Sequence, residues 1–239
     1  MRIFILIIAC LFIFSCEDKQ SEKKTKPTTI DSTKVSKQAA KEESDSISEG
    51  SSEDKKSEFL LTKENAMEFF LQYDKEHKES KVRIVTDYGD IDIELFEETK
   101  FHRSNFIYLA KQGYFDNTQF YRVIENYIIQ GGSTDNRDVM KKRRYIGKYL
   151  LPTDTKRGFH HDRGVISMPS SEIENPYKLA SPYEFFIMLR DVHELDGDYT
   201  IFGKVTSGLN VADKIANVAT DDADWPLKNV YIRRVEVLD

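Results

Sequence analysis

Cysteine, tryptophan and an excess of positive charge are scarce or missing in this chain of 239 residues. Its two cysteines, Cys10 and Cys16, lie close to the amino terminus, so the rest of the chain has no disulfide with which to stabilise a fold. A domain of about 150–180 residues can bury a sufficient core without one. The formal net charge of −6 argues against general binding to nucleic acid.

Aromatic residues are absent from positions 17–58, which consist largely of Lys, Glu, Ser, Thr and Asp. Such a composition cannot bury enough apolar surface to offset the entropy lost on ordering. We therefore expect residues 16–58 to form a disordered polar tether. A partner-binding tail is the alternative for this segment.

The amino terminus has the pattern of an export signal. Arg2 precedes an apolar run, Ile3 to Phe14, that is too short to span a bilayer comfortably. Ser15-Cys16, followed at once by charged residues, resembles a bacterial lipobox, in which cleavage leaves a cysteine that carries lipid. We expect residues 1–15 to be a lipoprotein signal peptide and Cys16 to be lipidated. An ordinary signal peptide with an incidental cysteine is the alternative.

A lipidated Cys16 would anchor the protein in a membrane through its N-terminus. The expected location is the cell envelope of a Gram-negative-type bacterium, with the outer membrane favoured. Whether the folded part faces the periplasm or the exterior is left open by the sequence.

Periodic apolar residues predict a mostly β fold after residue 58. A helix capped by Thr62 is predicted from the helical spacing of apolar side chains, and residues 59–80 are expected to form a helical extension. The apolar residues of this helix are Ala66, Met67, Phe70, Leu71 and Tyr73. Alternation through residues 82–95 around the turn 87–90 predicts a hairpin.

Two more helices and a last strand follow from the same reasoning. Residues 101–112 form a helical pattern that Gly113 ends, 209–218 form another, and 230–237 alternate as a strand. Because strands and helices do not alternate, a parallel sheet is not expected. The pattern favours an all-β barrel.

Arg122 and Gln130 lie eight residues apart in an apolar, β-rich segment. Residues separated by an even number point to one face of an extended chain if the register is unbroken. These two side chains would then share a surface with Ile124 and Ile128, with a turn expected at Glu125-Asn126. A charged fork and an amide beside apolar side chains suit a ligand with an apolar ring and backbone carbonyls, such as a prolyl peptide.

Four blocks of this sequence resemble the cyclophilins, a family of peptidyl-prolyl isomerases. Residues 120–132 are similar to the F-x-R-x-I…Q-G-G strand pair, 164–168 to G-x-x-S-M, 184–187 to Q-F-F-I, and 195–205 to L-D-G…F-G-K-V. The resemblance spans residues 81–239. It implies an eight-stranded antiparallel barrel with a helix over each open end.

The resemblance also implies catalytic roles for Arg122 and Gln130. Rotation about an Xaa-Pro bond breaks no bond, so no nucleophile, metal or cofactor is required. A donor aimed at the prolyl nitrogen would weaken amide resonance, and Arg122 is assigned this role. Gln130 would hold a substrate carbonyl.

The substrate-binding residues implied by the resemblance lie around the proline ring of a polypeptide substrate. Tyr127, Ile128, Phe186 and Leu195 match the proline pocket, and Tyr199 would offer a hydroxyl to the substrate backbone. Glu184 stands where the family usually has glutamine and places a negative charge beside the groove. We expect a monomer with proline-containing polypeptides as partners.

Two observations keep other interpretations open. Glu184 and Glu194, the latter in place of an aromatic residue, alter the walls of the groove, so a proline-peptide-binding chaperone or adaptor with weak turnover is the alternative function. The basic run 141–144 is interpreted as a solvated face, with a site for acidic peptides or lipid headgroups as the alternative.

Overall fold

The computed structural model describes residues 59–170 and 175–239. The predicted signal peptide, the tether and Cys16 lie outside the described residues. Within the two described ranges, no helix is long and apolar enough to cross a membrane. The elements in chain order are β1 (Leu61–Thr62), α1 (Ala66–Glu76), β2 (Lys81–Thr86), β3 (Gly89–Leu95), α2 (Lys100–Lys111), β4 (Thr118–Ile124), β5 (Ile128–Ser133), α3 (Arg137–Ile146), β6 (Gly147–Lys148), β7 (Val165–Met168), β8 (Phe185–Met188), β9 (Thr200–Ser207), α4 (Leu209–Ala216) and β10 (Val230–Val237).

Eight strands close into a barrel in the order β10-β2-β3-β9-β7-β8-β5-β4. Every neighbouring pair in this ring is antiparallel. The predicted eight-stranded antiparallel barrel is therefore confirmed. The structure adds a short parallel ladder outside the barrel, in which β1 pairs with β6.

The β2–β3 hairpin places one apolar face of the chain in the barrel core. Val82 and Ile84 on β2 lie opposite Ile93 and Ile91 on β3, and all four side chains are buried in the core. Arg83, Asp92 and Glu94 lie at alternate positions with partly exposed side chains, as expected for strands with one face in a core. The predicted hairpin is confirmed.

Helices α2 and α4 match the two helices predicted within the barrel domain. Phe106 and Leu109 of α2 are buried in the core, and Gly113, at φ 60°, follows the end of this helix. Helix α2 contacts β9 and β10, whereas α4 contacts β3, β4 and β5. The two helices therefore pack against different parts of the barrel.

Helix α1 confirms the predicted helical extension but not its predicted cap. Thr62 belongs to β1, and the helix begins after Asn65, whose side-chain oxygen accepts a hydrogen bond from the Thr62 N–H at 2.8 Å. The prediction failed because the parallel ladder places Thr62 in an extended conformation, and the chain turns into the helix three residues later.

A buried ion pair fastens α1 to α2. The Arg103 guanidinium donates to the Asp74 carboxylate at 2.5 Å, and Lys78 donates to the same carboxylate at 2.9 Å. Burial opposes ionisation of Asp74, but the hydrogen bonds from Lys78 and Arg103 outweigh it and lower its pKa. The extension is thus held to the barrel domain through charge as well as through apolar packing.

Helix α3 was not predicted. It contains the basic run 141–144, and only Val139 and Ile146 among its side chains are buried, so few apolar residues mark it as a helix. The Asn136 side chain accepts a hydrogen bond from the Asp138 N–H at 2.8 Å and so begins the helix.

Candidate active site

Arg122 and Gln130 lie directly opposite each other on the paired strands β4 and β5. Ile124 and Ile128 form the next pair on the same face. The connecting turn has Asn126 at φ 52°, a left-handed conformation that Asn tolerates better than most residues. The turn doubles the chain back on itself, which brings the guanidinium and the amide to one surface.

The loop before β10 packs against β4 at Arg122. The Nε atom of Arg122 lies 3.3 Å from the Asp224 carboxylate, and the side chain is 42% exposed. The Asp224 carbonyl accepts a hydrogen bond from the Val123 N–H at 2.9 Å, which ties the loop to β4. Trp225 packs on Tyr121 with 5.7 Å between ring centroids. The Nε side of the guanidinium is therefore held by Asp224, while the rest of the group is open to solvent.

Gln130 is held by a chain of hydrogen bonds. Its Nε2 donates to the Tyr121 hydroxyl, which donates to the Glu184 carboxylate at 3.3 Å. Burial and then the Glu184 charge raise the pKa of Tyr121, so its hydroxyl stays protonated. One N–H of the Gln130 amide is used in this chain, and the amide retains a second N–H and an acceptor oxygen.

An apolar cluster lies beside the Arg122–Gln130 pair and is separate from the barrel core. Its buried members are Ile128, Phe186, Met188 and Val192. Partly buried side chains pack against them, namely Ile124, Tyr127, Val165, Leu195 and Tyr199. The structure thus brings together the four residues predicted for the proline pocket and Tyr199, the residue predicted to offer a hydroxyl. The sequence reasoning had not included Met188, Val192 or Val165.

Phe186 is at the centre of this cluster. The edge of Tyr199 meets its ring at 90°, with 5.5 Å between centroids. The cluster is half covered by the turn carrying Tyr127 and by the segment 192–199, which contains a short 3-10 helix at His193–Leu195. The partly exposed rim of the cluster consists of apolar and aromatic side chains, which suit contact with a small apolar ring.

His161 supports the cluster from below and was not predicted as a site residue. It is fully buried, its Nδ1 lies 2.7 Å from the Asp196 carboxylate, and its Nε2 lies 3.1 Å from the Ser167 hydroxyl. Its ring is nearly parallel to Phe186, with 6.2 Å between centroids. His161 and Asp196 are 35 positions apart, so no local sequence signal indicates this contact.

Burial and the Asp196 carboxylate set the protonation states in the hydrogen-bond network of Ser167, His161 and Asp196. Burial lowers the pKa of His161, although Asp196 opposes the shift. Burial opposes ionisation of Asp196 in turn, but hydrogen bonds from His160 and His161 lower its pKa to about 2. The neutral His161 ring therefore donates from Nδ1 to Asp196 and accepts from Ser167 at Nε2.

The network of Ser167, His161 and Asp196 is not placed for covalent catalysis. Ser167, His161 and Asp196 are hydrogen-bonded in the order of a hydrolase triad, but the Ser167 side chain is fully buried and out of reach of a substrate. In the described parts of the chain, no group of three His, Cys, Asp or Glu side chains is placed to hold a metal ion.

The sequence matches one protein-family model over residues 81–237, nearly the whole barrel domain. That model describes the cyclophilin-type peptidyl-prolyl cis-trans isomerases. The chain belongs to this family. Its barrel is a cyclophilin domain, and the predicted resemblance is confirmed.

Curated cyclophilin relatives include proteins of very different length. The chain is 38% identical over 167 residues to "Peptidyl-prolyl cis-trans isomerase-like 2" of Rhizopus delemar, a match that covers 69% of this chain and 30% of the relative. It is 31% identical over 160 residues to "Peptidyl-prolyl cis-trans isomerase CYP18-2" of Arabidopsis thaliana, covering 66% of this chain and 94% of the relative. The chain therefore spans less than a third of the longer relative and nearly all of the shorter one.

A solved cyclophilin has the same fold. A cyclophilin-type peptidyl-prolyl cis-trans isomerase of Cryptosporidium parvum is 29% identical and superposes with a TM-score of 0.57, covering 67% of this chain and 98% of the other. The same protein crystallised in the presence of the dipeptide Ala-Pro gives a TM-score of 0.56. The domain is thus a cyclophilin domain by family and by fold.

Two departures from the cyclophilin pattern have visible consequences. Glu184 accepts a hydrogen bond from Tyr121, so it acts on Gln130 through that hydroxyl. Glu194 is exposed on the short 3-10 helix, and the buried side chain in that segment is Val192. An aliphatic side chain therefore forms part of this pocket wall.

Proposed function

We propose that this protein catalyses cis–trans isomerisation of Xaa-Pro bonds and that Arg122 is the catalytic residue. The barrier to rotation is about 18–20 kcal/mol because resonance gives the C–N bond partial double-bond character. A guanidinium directed at the prolyl nitrogen binds the lone pair that leaves conjugation in the twisted amide. It therefore stabilises the transition state more than either planar form.

The observation that carries this proposal is the pairing of Arg122 with Gln130 at the edge of the Phe186 cluster. A proline ring in the cluster would leave its backbone beside both polar side chains. The Gln130 amide would bind a substrate carbonyl with its second N–H, since the first is held by Tyr121. One side of the amide is then fixed while the other rotates.

The apolar residues support a proline-containing ligand. Tyr127, Ile128, Phe186 and Leu195 would surround the ring, and the Tyr199 hydroxyl would reach the peptide backbone. The Cryptosporidium relative was crystallised in the presence of Ala-Pro, which is the smallest ligand of this kind. The substrates we propose are proline-containing polypeptides.

Exchange NMR of an Xaa-Pro peptide tests this function. The wild-type protein should accelerate cis–trans exchange, and Arg122→Ala should reduce kcat/KM about 100-fold, the usual effect of removing one transition-state donor. Arg233→Ala is a matched control because Arg233 pairs with Asp87 on the exposed surface, away from the site. It should leave exchange unchanged.

The same spectra distinguish the alternative function. A proline-peptide-binding chaperone or adaptor would broaden the peptide lines without accelerating exchange in either the wild type or the Arg122 variant. That result would contradict the isomerase and favour the binding module.

We further propose that the protein assists folding of exported proteins from a lipid anchor at Cys16 in the cell envelope. Arg2, the apolar run to Phe14 and the Ser15-Cys16 pair support this location. Incorporation of radiolabelled lipid into the wild type but not into Cys16→Ala tests the anchor. Equal gel mobility of the two proteins with no label would contradict it.

A further inference from the structure

A second groove lies next to the isomerase site and is not part of it. Its volume is about 1110 Å³, larger than the roughly 300–1,000 Å³ typical of small-molecule pockets. Its walls are formed by the first strand, helices α1 and α3, the residues after α3 and residues 179–183. The segment before the family match therefore contributes to it. Its apolar lining includes Met67, Met140, Leu150, Pro152, Leu179 and Pro182.

The apolar lining is open to solvent. Leu60, Met140 and Leu150 line the groove and are each more than 40% exposed, although exposed large apolar side chains are few among the described residues. A contiguous exposed apolar surface with a polar rim usually marks an interaction site. This surface is large enough for several residues of an extended peptide.

The charged residues that line the groove are mostly basic. Lys63, Arg143, Arg144 and Lys148 line it against a single acidic residue, Glu64, although the chain as a whole has a net charge of −6. Among the described residues, Arg144 and Lys148 form no ion pair. Such a local excess of unpaired positive charge favours an acidic ligand.

Contacts between side chains connect this groove with the isomerase site. The Arg143 guanidinium lies over the ring of Tyr183 at 4.6 Å and 4.0 Å from the Glu184 carboxylate. Glu184 accepts from Tyr121, which accepts from Gln130. A polypeptide whose proline occupies the Phe186 cluster would therefore reach the groove within a few residues.

We propose that the groove binds the segment flanking the proline of a polypeptide substrate and that the preferred segment carries acidic and apolar side chains. This inference rests on the proposed isomerase function and adds a substrate class to it. Basic side chains of the groove would pair with the acidic residues, and the Met and Leu side chains would pack on the apolar ones. The rate advantage would appear in kcat/KM for long substrates only.

Matched peptides test the inference by exchange NMR. One is a short Xaa-Pro tetrapeptide, and the others carry eight alternating Leu and Glu residues, or eight alternating Leu and Lys residues, before or after the tetrapeptide. One of the Leu/Glu peptides should have a kcat/KM about tenfold above that of the tetrapeptide, as expected for two exposed charge pairs plus apolar contact. The Leu/Lys peptides should show no gain.

A charge-reversal variant separates the groove from the active site. Arg144→Glu/Lys148→Glu should abolish the gain for the Leu/Glu peptide and leave the tetrapeptide unchanged. Lys75→Glu/Lys141→Glu is the matched control, because it makes the same charge change at exposed residues of α1 and α3 that do not line the groove. It should keep the gain.

Other outcomes would overturn either the isomerase function or the role of the groove. No catalysed exchange of the tetrapeptide would overturn the proposed function, and anisotropy of a labelled Leu/Glu peptide would then test the groove alone. Exchange without a gain, or a gain that survives the groove variant, would overturn the inference. Binding to vesicles containing phosphatidylglycerol that is lost in the groove variant, without any peptide preference, would show a membrane-binding surface instead.

Discussion

Phe185 and Phe186 are neighbours on β8 and both are buried, yet they belong to different parts of the molecule. Phe185 points into the barrel, where its ring lies within 6.0 Å of Phe106, Phe115 and Phe120. Phe186 points outward and contacts Tyr199 and the cluster beside Arg122. Successive side chains of a strand face opposite sides, so this difference follows from the pleat.

The neighbouring strand β5 has the same two faces. Ile129 of β5 is buried in the barrel core, whereas Ile128 is buried in the outer cluster. An outward-facing residue of a barrel is ordinarily exposed, but here the turn at Tyr127 and the segment 192–199 cover it. One face of these strands therefore stabilises the fold, and the other face forms the site.

Replacing each phenylalanine in turn should separate the two faces. Phe185→Ala should lower the free energy of unfolding by about 3–5 kcal/mol, because it leaves a cavity in a closed core. Phe186→Ala should cost less stability, since its cluster also contains five partly buried side chains that can relax. It should lower kcat/KM by about 30-fold, equivalent to about 2 kcal/mol of lost contact with the proline ring.

Urea denaturation of both variants, with exchange NMR under native conditions, measures this prediction. Phe185→Ala should retain the kcat/KM of its folded fraction. Equal losses of stability in the two variants, with equal activity per folded molecule, would mean that the two faces are not functionally distinct.

Two histidines are buried, His102 in helix α2 and His161 under the outer cluster, and His102 should make the stability depend on pH. The ring nitrogens of His102 have no hydrogen-bond partner among the described residues, and burial lowers its pKa to about 4. A lowered pKa in the folded state means that acid protonates the unfolded chain first. Stability is therefore complete above about pH 6.5 and falls as the pH decreases towards 4, by about 3 kcal/mol in total.

The measurement is urea denaturation at pH 7 and pH 5 for the wild type and His102→Leu. Between these pH values, His102 should account for a loss of about 2 kcal/mol that the Leu variant does not show. His161 remains in both proteins, so its own lowered pKa contributes equally to each. The same pH dependence in the two proteins would contradict a buried neutral His102.

His161 lies under the outer cluster and should affect activity as well as stability. His161→Phe keeps a ring against Phe186 but leaves the buried Ser167 hydroxyl without its partner, at a cost of about 1–3 kcal/mol. It also removes the ring hydrogen bond to Asp196, next to Leu195 of the pocket, although the backbone N–H of residue 161 still donates to this carboxylate. We therefore expect kcat/KM to fall several-fold.

His161→Gln is the control because its amide can donate and accept as the imidazole does. It should recover part of the activity, measured by exchange NMR. If His161→Phe loses stability but keeps wild-type kcat/KM per folded molecule, then His161 supports only the fold.

The smallest effects are expected in the hydrogen-bond chain that holds Gln130. Tyr121→Phe removes the hydroxyl between Gln130 and Glu184 and should lower kcat/KM about fivefold, the value of one net hydrogen bond of about 1 kcal/mol. Glu184→Gln keeps an acceptor for Tyr121, so its effect should be smaller still. An equal or larger effect of Glu184→Gln would show that its charge matters more than its position.

The parts of the fold that were predicted well are those in which apolar residues recur at strand or helix spacing, weakly in β10 and more clearly elsewhere. The β2–β3 hairpin, α2 and β10 have alternating or helical apolar patterns, and the structure places them where these patterns indicate. Thr62 was assigned as a cap because it precedes the helical pattern, but its pairing with Lys148 in β6 is not visible in a local sequence. Helix α3 was missed because only two of its side chains are buried.

In the candidate site, too, residues with a local sequence signal were predicted, and contacts between distant segments were missed. Apolar residues such as Phe186 are usually core residues, and only the order of the four motifs pointed to a pocket. The contact of His161 with Asp196 joins residues that are 35 positions apart, so no spacing rule could have found it. The groove beside α3 combines segments separated by more than a hundred residues.

The sequence by itself determined the family, the strand alternation and the identities of the polar pair Arg122 and Gln130, because these depend on residue type and short spacing. Only the tertiary structure decided which buried side chains face the core and which face the site. That choice depends on how distant segments cover the outer face of β5 and β8. Burial, and with it the protonation of His161 and Tyr121, arises when the closed barrel brings those segments together.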